Sequence, residues 1–138
     1  MSLPPVATWT VLTVVRAVDG DTVKLRLDRD VGELPGLILS ARTKSPRGVS
    51  ARLTWVDTPE ENSDPVGWAR AAADTGQWLA EALLFNTPLV ADVYGEPDAW
   101  GRWLLDLRHA GHPEESLSRW LMTSGDGGRG WPAYVKGK

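Results

Sequence analysis

The chain contains no cysteine, a single phenylalanine and only two methionines among its 138 residues. Without cysteine, the fold has no disulfide, no thiolate metal site and no cysteine nucleophile. Apolar and charged residues make up 42% and 24% of the chain, which is ordinary usage for a globular protein. This length suits one hydrophobic core. We therefore expect a single domain over residues 1–138, with tails or loops at 1–7 and 125–138.

Long apolar runs are also missing. No stretch approaches the roughly 20 residues of a membrane-spanning helix, and the N-terminal "MSLPPVATWTVLTVV" lacks the basic segment and cleavage site of a secretory signal. We therefore expect no membrane association and a cytoplasmic protein, or a secreted one if a leader has been removed. The net charge of −3 argues against an extended basic surface for long nucleic acids, but it allows a local cationic pocket for one or two phosphates.

Alternating apolar residues predict five short strands. The first two flank Asp19-Gly20, and an Asp-Gly pair between such runs is the strongest short signal for a hairpin with a type I′ turn. The segment 29–50 is rich in glycine, proline and basic residues, and we expect it to form an extended hairpin insertion. The five strands are predicted at residues 8–18, 21–28, 50–56, 88–95 and 101–109.

Two segments carry helical patterns. Apolar residues at spacings of three and four predict a helix over 66–84, with Asp64-Pro65 at its start. Pro113 and the glutamates that follow it predict the start of a second helix, "PEESLSRWLMTS". Because no helix connects consecutive strands as a parallel crossover, the order favours an α+β fold. We expect a small five-stranded antiparallel OB-like β-barrel with two helices.

Carboxylates and arginines gather in three clusters. The first is Asp19 to Thr22, the second joins Arg52 to "VDTPE" at 56–60, and the third is "DAWGR" at 98–102. Each cluster alone has a structural explanation as a turn, a helix-start signal or an aromatic plug. Together they suggest chemistry, because carboxylate oxygens are ligands for hard divalent cations and arginines bind phosphate in a bidentate way.

The strand-edge positions of Asp21 and Asp57 suit such a cation, and Glu60 just beyond them can orient or deprotonate a water molecule. Two arginines can neutralise a phosphate that gains charge in a transition state. A cation, a base and paired guanidinium groups fit the hydrolysis of a phosphodiester bond.

The segments "AVDGDTVKLRL", "RLTWVDTPE" and "WGR", in this order, resemble the staphylococcal (micrococcal) nuclease, or thermonuclease-like, family. The resemblance covers roughly residues 10–125. It implies that Asp21 and Asp57 bind Ca²⁺ through their carboxylates and Thr58 through its backbone carbonyl. It further implies that Asp19 hydrogen-bonds water on the ion.

The same resemblance assigns the chemical roles. Glu60 would act on the attacking water as general base or positioner. Arg52 and Arg102 would hold the scissile phosphate, with Arg102 on the side of the departing 5′-oxygen. The implied activity is Ca²⁺-dependent hydrolysis of DNA and/or RNA by in-line attack of water, leaving 3′-phosphates, and we expect the protein to be a monomer.

The sequence departs from the family in two places that concern substrate binding. Trp100 stands where the family has a tyrosine before Gly-Arg, and we expect its indole to border the nucleotide cleft. Tyr134 is the candidate for a tyrosine that lines the base pocket. The connection between Thr22 and Arg52 is also longer than the usual hairpin of the family.

Two other functions stay open at this point. An OB-like barrel can bind single strands without chemistry, and a scaffold protein can use aspartates for structural Ca²⁺. Inactive members of the family typically lose the arginine or acid set. Because Asp21, Arg52, Asp57, Glu60 and Arg102 are all present, the sequence favours the nuclease. His109 and His112 lie outside the motifs, and we expect them to be solvated loop residues.

Overall fold

The computed structural model describes residues 5, 7–27, 49–94 and 102–133, which form an α+β fold with one mixed six-stranded sheet and two helices. The strands are β1 Ala7–Asp19, β2 Thr22–Leu27, β3 Val49–Leu53, β4 Leu89–Val93, β5 Trp103–His109 and β6 His112–Ser116. The helices are α1 Pro65–Leu84 and α2 Leu117–Thr123, and a 3₁₀ turn follows at Asp126–Gly128.

The sheet has the strand order β3-β2-β1-β4-β5-β6, and β3 also pairs with β5. The expectation of a purely antiparallel sheet is wrong, because the β3–β5 pairing is parallel and sets Arg52 opposite Leu104. The other pairings are antiparallel. Their register puts Thr22 opposite Arg52, so the start of β2 and the end of β3 meet at one edge of the fold.

The expectation of five strands is also wrong, because part of the predicted second helix is β6. His112 pairs with His109 and Ser116 with Arg108, in antiparallel register with β5. The helix begins only after this strand. The Ser116 side chain accepts the backbone N–H of Arg119 at 3.1 Å and so caps the first turn of α2.

The start of α1 confirms the prediction from Asp64-Pro65. The Asp64 side chain accepts the backbone N–H of Gly67 at 3.0 Å, and Pro65 occupies the first helical position, where no N–H is needed. One face of α1 is buried against the rest of the fold. Its buried residues are Gly67, Ala71, Thr75, Trp78, Leu79 and Ala82.

The hydrophobic core joins the inner residues of the strands to α1 and α2. The chain has eight tryptophans and one phenylalanine. Four of the tryptophans are buried in this core: Trp9, Trp78, Trp103 and Trp131. The segment after α2 belongs to this core through Trp131, whose indole N–H donates to Asp74 at 2.8 Å. A bridge between Val56 and Ala133 fixes the same segment to the chain beyond β3.

Parts of the expected organisation lie outside the described residues. They are 1–4 and 6 of the N-terminal tail, 29–48 of the insertion and 134–138 of the C-terminal segment. Residues 49–50 of the expected insertion belong to β3. No helix in the described part of the chain is long and apolar enough to span a membrane.

Candidate functional site

The turn between β1 and β2 consists of Gly20 and Asp21, flanked by the strand pair Asp19–Thr22. The turn therefore lies one residue later than the predicted Asp19-Gly20, and because none of Asp19, Gly20 and Asp21 has a positive φ, the expected type I′ turn is wrong. Glycine is required for a different reason. A Cβ at Gly20 would lie 2.6 Å from the Cβ of Ala71 and 2.8 Å from the hydroxyl of Thr58. The turn therefore packs directly against α1 and the loop after β3.

Asp21 is buried, with 7% of its surface exposed, although its position in a tight turn would allow a solvated carboxylate. Its Oδ2 atom accepts the backbone N–H of Thr58 at 3.0 Å and lies 3.5 Å from the NH2 nitrogen of Arg52. The same nitrogen lies 3.5 Å from Oδ1 of Asp57. Two aspartates that are far apart in sequence therefore face one point in space.

Arg52 occupies that point because its guanidinium is fixed from the other side. Its NH1 nitrogen donates to the backbone carbonyls of Leu53 at 2.5 Å and Val56 at 2.9 Å. Trp55 has a φ of 73°, in the left-handed region, and this turn brings the Val56 carbonyl back towards β3. Only 11% of the Arg52 side chain is exposed. Its NH2 group thus faces the carboxylates in a defined position.

Arg102 reaches the same edge through the parallel pairing of β3 with β5. It precedes β5 directly, two residues before Leu104, the partner of Arg52. Its NH1 nitrogen donates to the Thr22 hydroxyl at 3.3 Å. Since Thr22 is the antiparallel partner of Arg52, sheet register alone brings the two arginines to one side of the fold.

These groups line a cleft of about 300 Å³. Its lining residues are Asp19, Asp21, Arg52, Asp57, Pro59, Glu60, Glu61, Asn62 and Arg102. All six acidic and basic residues that the sequence analysis assigns a role in cation binding or catalysis are among them: Asp19, Asp21, Arg52, Asp57, Glu60 and Arg102. Five carboxylates face two guanidinium groups, so the cleft carries an excess of negative charge and favours a cation.

Glu60 lies on the exposed rim of the cleft, in the loop that leads to α1. Its backbone carbonyl accepts the N–H groups of Ser63 at 3.2 Å and Asp64 at 2.9 Å. Because Asp64 caps α1, the loop is tied to the start of the helix. The backbone at Glu60 is accordingly fixed, and its exposed side chain lines the same cleft as the aspartates.

Several residues in or behind the cleft do not follow from the sequence motifs. Glu61 and Asn62 also line the cleft. Their position directly after Glu60 in the sequence is the one signal that could have predicted this. Trp68 on α1 donates its indole N–H to Oδ1 of Asp19 at 2.6 Å, across 49 positions of the chain. No motif connects these two residues. Trp100 and Tyr134, the predicted substrate-binding residues, lie outside the described residues.

The oxygen donors of the cleft fit a hard divalent cation such as Ca²⁺. Asp21 and Asp57 both lie 3.5 Å from the NH2 group of Arg52, so the two carboxylates border the same part of the cleft, and carboxylate oxygens are ligands that such a cation takes. Thr58 contacts Asp21 through its N–H, and the role of its carbonyl stays a prediction. Cation binding here would use two carboxylates together with carbonyl and water oxygens.

A second cluster of possible ligands lies away from the cleft, at the β5–β6 hairpin. His112, Glu114 and Glu115 are exposed, and their ligand atoms lie within 4.8 Å of one another. In the described part of the chain this is the one place where three such side chains approach so closely. The expectation that His109 and His112 are solvated loop residues is wrong for the loop assignment. His109 belongs to β5, and its ring stacks on Trp78 at 4.9 Å, whereas His112 is exposed but begins β6.

Comparison with known proteins assigns no family to the chain. No protein-family model matches it, and no curated protein matches it either. A function for the cleft therefore has to follow from its residues, from their geometry and from the three motifs that these residues form.

Proposed function

We propose that the protein is a Ca²⁺-dependent nuclease that hydrolyses phosphodiester bonds of DNA and/or RNA and leaves 3′-phosphates. The observation that carries the proposal is the position of one Arg52 nitrogen, 3.5 Å from both Asp21 and Asp57. Glu60 and Arg102 line the same cleft. Carboxylates for a cation, a carboxylate for water and two guanidinium groups for phosphate therefore share one small volume.

The proposal includes an OB-like barrel as the scaffold of this cleft. Support comes from β3, which pairs with β2 on one side and with β5 on the other. In such a barrel the hairpin turn, the end of β3 and the start of β5 lie on one rim. The first motif of the resemblance to the staphylococcal nuclease family spans the hairpin turn, the second begins near the end of β3, and the third ends directly before β5.

Asp21 and Asp57, with the carbonyl of Thr58, would hold the Ca²⁺, whose charge helps to neutralise the substrate phosphate. Arg52 and Arg102 bind the phosphate oxygens by paired hydrogen bonds, which a planar guanidinium supplies well. Two backbone carbonyls accept hydrogen bonds from NH1 of Arg52 and fix its guanidinium before substrate binds. The guanidinium therefore needs little rearrangement when the phosphate arrives.

Glu60 orients the attacking water and accepts its proton, for which its open position on the cleft rim is suited. The water oxygen forms a bond to phosphorus on the side opposite the 5′-oxygen. The bond between phosphorus and the 5′-oxygen then breaks, and that oxygen takes a proton from solvent. Arg102 stabilises the negative charge on this departing side, where charge develops as the bond lengthens.

Digestion of plasmid DNA, single-stranded DNA and RNA tests the proposal, with Ca²⁺, Mg²⁺ or EDTA in parallel reactions. We expect cleavage with Ca²⁺, loss of cleavage with EDTA and products that carry a 3′-phosphate. Undiminished cleavage in EDTA would contradict the cation assignment. Binding of single strands without cleavage, over a range of pH and salt with Ca²⁺ present, would instead identify a nucleic-acid-binding module.

A further inference from the structure

The hairpin turn at the cleft is held by one face of α1. Trp68, Ala71 and Thr75 are spaced by three and four residues, so they project to the same side of the helix. Trp68 donates its indole N–H to Oδ1 of Asp19 at 2.6 Å, and the Thr75 hydroxyl donates to the backbone carbonyl of Gly20. Ala71 fills the space beside Gly20.

We infer that Trp68 is a positioning residue of the cleft, which fixes the Asp19 carboxylate and thereby raises the affinity for Ca²⁺. The inference rests on the proposed function, because it concerns the same cation. Trp68 itself does not line the cleft and would not touch the cation or the substrate. It acts through Asp19.

The physical reason is repulsion among the carboxylates. Asp19, Asp21 and Asp57 line one cleft and repel one another when all three are ionised. Asp21 has the N–H of Thr58 and the guanidinium of Arg52 as partners, and Asp57 faces the same guanidinium. For Asp19, the partner that offsets this repulsion is the indole N–H of Trp68. A hydrogen bond to a carboxylate is stronger than one between neutral groups.

Loss of a group that orients such a carboxylate typically reduces metal affinity by about 10- to 100-fold. Since Asp19 is expected to reach the cation through water, we place the effect of Trp68→Phe at the lower end, about tenfold. Phenylalanine keeps an aromatic ring in the same position and removes the N–H donor.

Trp131 provides a matched control. Its indole N–H also donates to an aspartate of α1, Oδ2 of Asp74 at 2.8 Å, but neither residue lines the cleft. Trp131→Phe therefore removes the same kind of hydrogen bond from the same helix. Any effect on Ca²⁺ affinity that arises only from a weaker fold will appear in both variants.

The experiment measures Ca²⁺ binding by calorimetry and thermal unfolding of the full chain. The proteins are the wild type, W68F, W131F, D19A and the double variant W68F/D19A. We expect about tenfold weaker binding for W68F than for the wild type, unchanged binding for W131F, and no further loss when W68F is added to D19A. Nuclease activity of W68F should return towards the wild-type value at saturating Ca²⁺.

Wild-type affinity in W68F would overturn the inference while the proposed nuclease stands. The inference would also be overturned if W68F lowered the Ca²⁺ affinity equally in the wild type and in D19A, because Trp68 would then act by another route. Absence of Ca²⁺ binding by the wild type would overturn both proposals, so the two failures are distinguishable.

Discussion

The buried carboxylate of Asp21 accepts the backbone N–H of Thr58 at 3.0 Å, across 37 positions of the chain. Both residues are buried, with 7% and 5% of their surfaces exposed. This hydrogen bond joins the turn after β1 to the loop after β3. The same carboxylate oxygen faces Arg52, so one side chain serves both the packing of the fold and the charge balance of the cleft.

Substitutions of Asp21 should separate these two contributions. Asp21→Ala leaves a buried N–H without its acceptor, and we expect the free energy of unfolding to fall by about 1–3 kcal/mol. Asp21→Asn keeps an oxygen acceptor but loses the charge, so it should be more stable than Asp21→Ala and still bind Ca²⁺ far more weakly than the wild type. Urea unfolding and calorimetry measure both quantities. Wild-type Ca²⁺ affinity in Asp21→Asn would remove this residue from the proposed cation site.

Gly20 should tolerate no side chain, whereas Gly76 in α1 should accept one. A Cβ at Gly20 would meet Ala71 at 2.6 Å, while nothing lies within 4 Å of a Cβ at Gly76. We expect Gly20→Ala to destabilise the fold by about 1–3 kcal/mol through overpacking. Gly76→Ala should stabilise it by about 0.5–1 kcal/mol, because alanine favours the helix. Urea unfolding of both variants is the measurement, and equal stabilities would contradict the close packing of the turn on α1.

The sequence predicted the cleft better than it predicted the sheet. Local patterns predict the hairpin that carries Asp21 and the strand that carries Arg52, but the edge position of Arg102 depends on the pairing of β3 with β5. The parallel β3–β5 pairing joins segments about fifty residues apart, and no local pattern reports it.

The start of the second helix was misassigned for a comparable reason. Pro113 and two glutamates are typical of a first helical turn, but pairing with β5 keeps His112–Ser116 extended. The cap at Ser116 then starts the helix at Leu117. The contact between Trp68 and Asp19 is tertiary, and neither residue type in isolation predicts it.

The stability of the protein should depend on pH through Asp106. This side chain is buried on β5 and accepts the N–H groups of Leu107 at 2.9 Å and Ser118 at 3.1 Å. Burial raises the pKa of Asp106 from 3.8 to about 6, although hydrogen bonds from Ser118 oppose the change. The folded state therefore binds the proton of the Asp106 carboxyl group more tightly than the unfolded state does.

With the folded pKa above the unfolded one, the contribution of Asp106 to stability decreases as the pH rises from about 4 to about 6. The decrease amounts to about 3 kcal/mol. Asp106→Asn should remove it, so the variant gains stability relative to the wild type as the pH rises from 4 to 7. Urea unfolding across this range gives the difference between the two proteins. Parallel stability curves would show that Asp106 does not titrate in this way.

Replacement of Arg102 should distinguish an enzyme from a binding module. The side chain is half-buried at the start of β5, and its NH1 nitrogen donates to Thr22 at 3.3 Å. In the proposed reaction it stabilises charge that develops only as the bond to the 5′-oxygen breaks. An interaction made mainly in the transition state lowers the barrier and has little effect on substrate binding.

We therefore expect Arg102→Ala to fold, to bind Ca²⁺ and single-stranded DNA, and to cleave with a kcat about 10²–10³-fold lower. Arg102→Lys should recover little, because an ammonium group cannot form two parallel hydrogen bonds to a phosphate. Arg119→Ala is the control, since Arg119 is an exposed residue of α2 that does not line the cleft. Steady-state kinetics with fluorescence-labelled single strands measure kcat and KM separately. A weaker affinity with unchanged kcat would mean that Arg102 binds the ground-state phosphate and does not act on the departing oxygen.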